Sequence, residues 1–503
     1  MTTRSATYRL DGPSRPFAKL HAECVGSCHA YLTLREDWRE HFRRVQKAIG
    51  FKRVRFHGIL HDLVGIYRGD HDQKDPYNFR NLFKIVDFLL ENGAQPFLEL
   101  SFMPYGLASG DATIFQYRGN ITPPKDEGKW SDLVTAFTTS LIDRYGLAEV
   151  RSWYFEVWNE PDIDAFWSGG LDGYLRLYEL TARAVKAVDS QLRVGGPATS
   201  KNQWIDETSA FCAQNNVPLD FVSTHHYCAD VALEMGRVVK DFAYRGQPTM
   251  AAEVRDTVAK VRAADSVDAG QPAREVHYTE WNISPIHEDV FGKDSAFSAV
   301  FALQTLRDVT GLVGSYSWWT LSDIFEESGP GLDPFSGKYG LINVDGVNKP
   351  VFHAFRWLSE LHDHELLPEG QIPRDTIATR AANGNLAILS WNFSEATKAH
   401  FFGEDWTLDR AEIDRKLRFE GLPDRRWRVR QWVVDEVRGN AFTAWRTSGR
   451  PRYPRGSELE ALKAASEPVM VEDRLVDLAH DEALDLQTLQ GVCGVHFWTV
   501  ERT

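Results

Sequence analysis

Cysteine is scarce in this chain and does not cluster as a framework. Cys24, Cys28, Cys212, Cys228 and Cys493 are the five present, and an odd, dispersed set does not build the disulfide scaffold of a small secreted protein. The N-terminal stretch MTTRSATYRLDGPSRPFAKL lacks the continuous apolar segment of a secretory signal. No run approaches the ~18 apolar residues of a membrane span. A cytoplasmic protein is expected. Positive charge is the minority sign: 57 Lys and Arg face 71 Asp and Glu, a formal net charge of −14. That balance argues against nucleic acid or an anionic membrane as partner. No glycine-rich phosphate turn follows Cys28, so a doubly wound dinucleotide fold lacks its signature, and no cofactor motif appears elsewhere. His21-x2-Cys24-x3-Cys28-His29 contains metal-binding residue types. No second ligand pair stands at zinc-site spacing, and no metal is expected.

What is present is ample apolar material, 43% of the residues, enough for real cores. At 503 residues the chain is too long for one ordinary core, so a large and a smaller domain are expected. Short apolar strands alternate with amphipathic helices. Strand-like pieces are ECVGSCHA, RVRFHG, AQPFLELS, WYFEVWNE, RVGGPATS, DFVSTHHY, REVHYTEWN and VGSYSWWTLSD. Between them lie helical pieces such as DWREHFRRVQKAIG and NFRNLFKIVDFLLENG. In the latter, Leu82, Ile85, Val86, Leu89 and Leu90 recur at helical spacing, with Gly93 where a C-terminal cap is wanted. Eight such repeats over residues 15–360 predict a (β/α)8 barrel, an α/β fold. Beyond the polar connector LHDHELLPEGQIPRD the texture becomes short and alternating, with a turn signal at Asn383-Gly384. Residues 361–503 are therefore expected to form a β-sandwich, joined by a strand from residues 1–14. Trp427, Trp432 and Trp445 read as its core rather than as a sugar-binding module.

A (β/α)8 barrel carries its chemistry where strands end and loops begin. Strand two ends in Phe56-His57-Gly58, strand four in Trp158-Asn159-Glu160-Pro161 and strand six in His225-His226-Tyr227. Strand seven ends in Thr279-Glu280-Trp281, and strand eight in Trp318-Trp319, ahead of the run Asp323–Glu327. Glu160 and Glu280 thus face each other across the ring. Two opposed carboxyl groups are what cleavage of a glycosidic bond requires, one as acid and one as nucleophile. Arg55 and Glu156 lie on strands two and four; they can pair inside the barrel, and an arginine beneath the nucleophile would keep Glu280 ionised.

Asn-Glu-Pro after strand four with a Glu after strand seven resembles the 4/7 superfamily of glycoside hydrolases, clan A. VRFHGIL, YFEVWNEPD, STHHY, YTEWN and the WWT…DIFEE stretch resemble glycoside hydrolase family 39, which holds β-xylosidases and α-L-iduronidases. The resemblance covers about residues 20–360 and, more weakly, LRFEGLPDRRWRVRQWVVDEVRGNAFTAW in the tail. It implies retaining hydrolysis with Glu160 as acid/base and Glu280 as nucleophile. It further implies that Asn159 meets the sugar 2-hydroxyl, that His57 binds sugar, and that His225 and Tyr227 form a His-x-Tyr pair beside the nucleophile. Trp318 would floor the ring, Glu326 would grip a hydroxyl and Phe115 would wall the pocket. His226 stands where the family pattern has proline.

A uronic acid would need an Arg or Lys for its carboxylate. The strand-tip stretches HGILHD, WNEPD, THHY, TEWNIS and WWTLSDIFEE contain none, which favours β-xylose from short oligosaccharides. Another clan A hydrolase acting on α-L-arabinosides or α-L-iduronides, or a non-catalytic sugar-binding barrel, remains the alternative.

Overall fold

The computed structural model describes residues 2–69, 75–230, 233–234, 237–238, 243–265, 273–399, 406–423, 425–479 and 482–503. Eight parallel strands close into a barrel. They are β1 (Val25–His29), β2 (Arg53–His57), β3 (Gln95–Leu100), β4 (Tyr154–Val157), β5 (Arg193–Thr199), β6 (Phe221–Tyr227), β7 (Glu275–Asn282) and β8 (Ser315–Trp318). Each pairs with its sequence neighbour, and β8 returns to β1 through Trp318 and Val25. The strands are buried almost end to end because helices cover their outer faces, as parallel sheets require.

The helices follow from apolar spacing. Arg80–Glu91 buries Leu82, Ile85, Val86, Phe88 and Leu89 on one face. It stops where Gly93 takes a φ of +76° and the Ala94 N–H turns back to the Leu89 carbonyl at 2.9 Å. A side chain would be strained there, so glycine ends the helix. Inside the barrel, Cys24, Phe97, Tyr154 and Phe221 form an apolar floor. Above that floor Arg55, Glu99 and Glu156 project inward as a wholly buried charged layer.

The tail packs two sheets. Thr2–Arg9 pairs in parallel with Ile413–Glu420, which pairs antiparallel with Leu484–Gln490. The second sheet has seven strands, with Ser14–Pro16 at one edge and Val469–Leu478 at the other. Between the sheets lie Tyr8, Leu417, Phe419, Leu486, Trp427 and Trp498. Trp427 sits in the core as expected, whereas Trp432 is only partly buried. Trp445 is not on a strand. It belongs to the helix Ala441–Thr447, with its ring 5.6 Å from Phe335. Phe335 follows β8, so this helix ties the tail to the last barrel loop. Among the described residues no helix is long and apolar enough to cross a membrane.

Candidate active site

Glu160 is delivered by a strained turn. β4 ends at Val157, and Trp158 and Glu160 then adopt φ of +70° and +43°, which costs a non-glycine residue about 1–2 kcal/mol each. The turn is held: the Glu160 N–H donates to the Ala198 carbonyl at 2.8 Å, and the Trp158 indole donates to the Phe166 carbonyl at 2.9 Å. Glu280 needs no such turn, because it lies within β7, in register with His225 of β6. Both glutamates are buried, 7% and 6% exposed. One imidazole stands between them: His225 Nδ1 lies 3.0 Å from Glu160 Oε1 and 3.8 Å from Glu280 Oε2.

The charged layer below sets their acidity. Arg55 donates from Nε to Glu156 at 2.6 Å and from Nη2 to Asn159 Oδ1 at 2.8 Å; it lies 3.0 Å from Glu99 and 3.4 Å from Glu280. Burial opposes the guanidinium charge, but Glu156, Glu99 and Glu280 together hold the Arg55 pKa above its ordinary value. His57 places Nδ1 2.6 Å from Glu99 and Nε2 3.5 Å from Glu327. Burial opposes its charge as well, yet the two carboxylates raise it to about 10. His225 is pushed the other way, well below 6.5, by burial and by the charges of Arg55 and His57.

Burial raises both candidate catalytic carboxyls, and their neighbours then separate them. Glu160 rises well above the usual carboxylate range, through burial first and then the Glu280 and Asp162 charges. Glu280 rises only to about 7, since His57, Arg55 and the Tyr227 hydroxyl oppose the burial effect. The Tyr227 O–H donates to Glu280 Oε1. Two carboxyl groups with such different surroundings are an acid and a base waiting to be assigned.

Most expected site residues converge. Asn159 and His225 are buried beside the pair, Tyr227 is bonded to Glu280, and His57 anchors the β2 side. Phe115 stacks at 6.2 Å from the His57 ring and meets Phe166 edge-on at 5.3 Å, so it walls the site. Two residues do not join them. Trp318 points outward: its indole donates to the Tyr339 carbonyl at 3.0 Å and meets Phe355 of the outer helix Pro350–Glu360 at 5.7 Å. Its neighbour Trp319 faces inward, 4.6 Å from His57. Glu326 is about one-third exposed and ion-paired with Arg35. Its neighbour Glu327 is the buried one, contacting His57 and, at 3.4 Å, His287.

Signals for Trp319 and Glu327 existed in part. Gly26 of β1 lies against the Trp319 ring, and a side chain there would collide with it. Glu327 belonged to the acidic run Asp323–Glu327, in which the family resemblance nominated its neighbour Glu326 instead. His226, at the position expected to be proline, faces away from the site, with Nδ1 2.9 Å from Glu253. The His21–His29 run does not gather around a point: His21 bonds to Ser359 Oγ, and Cys24 joins the barrel floor. The set Glu160, His225 and Glu280 has donor atoms within 4.8 Å of one another. Arg55, so close to Glu280, offsets the negative charge that would attract a cation there.

A closed parallel barrel that buries two carboxyl groups of unequal acidity at opposite strand ends is a glycoside hydrolase scaffold. Residues 8–478 match the family model described as Glycosyl hydrolases family 39, and the chain belongs to that family. It is 40% identical over 451 residues to a beta-xylosidase of Caldicellulosiruptor saccharolyticus, covering 89% of this chain and 88% of that one. It is 37% identical over 471 residues to a beta-xylosidase of Geobacillus stearothermophilus, covering 91% and 88%. A crystal structure of a monomeric beta-xylosidase from Caulobacter crescentus CB15 superposes with a TM-score of 0.90 at 31% identity, covering 99% of this chain and all of that one.

Proposed function

We propose that this protein is a retaining, exo-acting β-xylosidase that releases xylose from short xylo-oligosaccharides. The observation that carries the reading is the pair Glu160 and Glu280 on one imidazole, with Glu160 held the more weakly acidic. Donor atoms within 4.8 Å suit direct attack better than the ~6.5–9.5 Å separation that admits a water in inverting enzymes. Glu160 protonates the departing oxygen while Glu280 attacks the anomeric carbon, giving a covalent xylosyl-enzyme. Glu160, now a carboxylate, then takes a proton from water, and that water displaces Glu280.

The remaining roles follow from partners. Arg55 fixes the Asn159 amide oxygen, so the amide NH2 is the end available to the 2-hydroxyl. Tyr227 orients Glu280. Trp319, in place of Trp318, forms the aromatic face, and Glu327, in place of Glu326, accepts from a hydroxyl together with His57. Support for a neutral sugar comes from Arg35, whose guanidinium is already engaged by Asp37 and Glu326. Support for xylose comes from the beta-xylosidases at 40% and 37% identity. Residues 15–360 would form the catalytic barrel, and residues 361–503 with the N-terminal strand the sandwich. The free, buried cysteines Cys24, Cys28, Cys212, Cys228 and Cys493 support a reducing, cytoplasmic setting.

Azide tests the two roles. In Glu280→Gly the anion attacks once, so an aryl β-xyloside should yield the α-azide. In Glu160→Ala the nucleophile remains, and azide needs no base, so the β-azide should form. Anomeric coupling in proton NMR separates them. Swapped anomers reverse the assignment, and a wild-type enzyme that cleaves α-L-arabinosides or α-L-iduronides but not β-xylosides refutes the substrate.

A further inference from the structure

Behind Glu160 runs a chain of hydrogen bonds whose protons can be assigned one by one. It starts at Arg55, whose Nε–H donates to Glu156 Oε2 at 2.6 Å. Glu156 is therefore ion-paired, and its other oxygen, Oε1, has only lone pairs to offer. Thr279 Oγ lies 2.8 Å from that oxygen and donates its single hydroxyl proton to it. The same Thr279 oxygen lies 3.1 Å from His225 Nε2. With its proton committed to Glu156, the hydroxyl can only accept, so His225 carries its ring proton on Nε2. The other ring nitrogen, Nδ1, is then a bare lone pair aimed at Glu160 Oε1, 3.0 Å away.

That geometry decides which form of Glu160 is comfortable. A protonated carboxyl group donates to Nδ1, whereas a carboxylate sets lone pair against lone pair in a buried site. We propose that Thr279 and Glu156 are positioning residues that lock the His225 tautomer and thereby keep Glu160 protonated until it serves as the acid. After Glu160 gives up its proton to the leaving group, the same lone pair makes the carboxylate a stronger base toward water. One device serves both half-reactions.

The surroundings act on the same pair and belong in the balance. Arg55 and His57 from β2, Glu156 from β4, Tyr227 from β6 and Glu280 from β7 surround His225 and Glu160, Asp162 follows Glu160 in the chain, and His226, turned away toward Glu253, acts on His225 only through its charge. Arg55 and His57 favour the Glu160 anion, while Glu280 and Asp162 disfavour it. Thr279 contributes no charge. It acts solely by fixing where the imidazole proton sits, which makes it the clean residue to change.

The inference rests on Glu160 being the acid, and two measurements test it. Long-range proton–nitrogen correlation on histidine-labelled wild-type protein, with His225 assigned by difference from His225→Asn, should show an unprotonated Nδ1 and a protonated Nε2. A protonated Nδ1 overturns the proposal whatever the activity. Thr279→Val removes the acceptor for Nε2–H and frees the ring to take the Nδ1–H tautomer, which donates to the Glu160 carboxylate and lowers its pKa. The basic limb of kcat/KM on an alkyl β-xyloside, which needs acid assistance, should move down by about 1 pH unit. Thr279→Ser should restore it. A Thr279→Val profile that is lower by one factor at every pH, with its basic limb unmoved, assigns Thr279 a merely structural role and overturns the proposal. Wild-type protein inert toward every β-xyloside would instead refute the functional reading, and the nitrogen spectrum would still decide the tautomer.

Discussion

Glu326 and Glu327 are adjacent and chemically identical, yet their surroundings give them different expected worth. Glu326 is about one-third exposed and paired with Arg35, the situation in which an ion pair contributes ~0–1 kcal/mol. Glu327 is buried between His57 and His287, which pull its pKa down against the effect of burial. Glu327→Ala should cost about 1.5–3 kcal/mol in kcat/KM, and Glu326→Ala less than about 1. Equal losses in the two variants would refute the distinction. The two catalytic candidates predict a bell-shaped profile. Activity needs ionised Glu280, so kcat/KM falls as pH drops through about 7. It also needs protonated Glu160, whose pKa burial and Glu280 raise well above the ordinary range, so it falls again on the alkaline side. A flat profile on alkyl β-xylosides would contradict both. At this scale the sequence was legible to within one residue. Strand ends pointed to Glu160, Asn159, Tyr227 and Glu280, but Trp318-Trp319 and Glu326-Glu327 are doublets. Side chains alternate faces along a strand, so an error of one position sends the wrong tryptophan into the pocket. For the tryptophans, the contact of Gly26 on the neighbouring strand β1 with the Trp319 ring breaks that tie.

Among the elements, the segment from β8 to the helix Pro350–Glu360 is the one whose anchoring matters to the site, because it carries Glu327. Its anchor is buried. Lys349 Nζ lies 2.6 Å from Asp294 and 2.6 Å from Asp323. Asp323 also accepts from the Gly340 N–H at 2.6 Å. Lys349→Met would remove the direct ion-pair partner of both buried carboxylates, and breaking such a pair costs about 3–5 kcal/mol. The variant should unfold earlier in urea and bind xylosides more weakly; an unchanged midpoint would show that the loop is held by something else. The barrel elements were readable because each pairs an apolar strand with a helix of period 3.6. The helices Ala441–Thr447 and Ser457–Ala465 were not. Each is short and set among alternating strands, so the period of two dominated the reading. The capping Asn440, whose side chain accepts from the Thr443 N–H, was the local signal available.

For the molecule as a whole, the site is a cost. Glu280 has its pKa raised from 4.5 to about 7, so the folded state favours the protonated form. Its contribution to stability is best below about pH 4.5 and declines as pH rises to about 7, after which the penalty is complete. Glu280→Gln removes that penalty. The variant should gain about 1–3 kcal/mol, read as a higher Tm, at pH 8 and almost nothing at pH 4.5. A gain of the same size at both pH values would mean that packing, not charge, is responsible.

The strand Thr2–Arg9 has a consequence in time. Its partner in the sheet is Ile413–Glu420, and that partner is completed on its other side by Leu484–Gln490. A segment made early therefore waits for partners made more than 400 residues later. At ~5–20 residues per second, Thr2–Arg9 has no partner strand for roughly 20–80 s of synthesis. The barrel can close during that interval, while this sheet can assemble only after Ile413–Glu420 and Leu484–Gln490 have been made. Nascent chains arrested near residue 400 should thus lose the Thr2–Arg9 segment to mild proteolysis and keep the barrel, whereas chains extended through residue 503 should keep both. The sandwich is a clasp that joins segments made far apart in time.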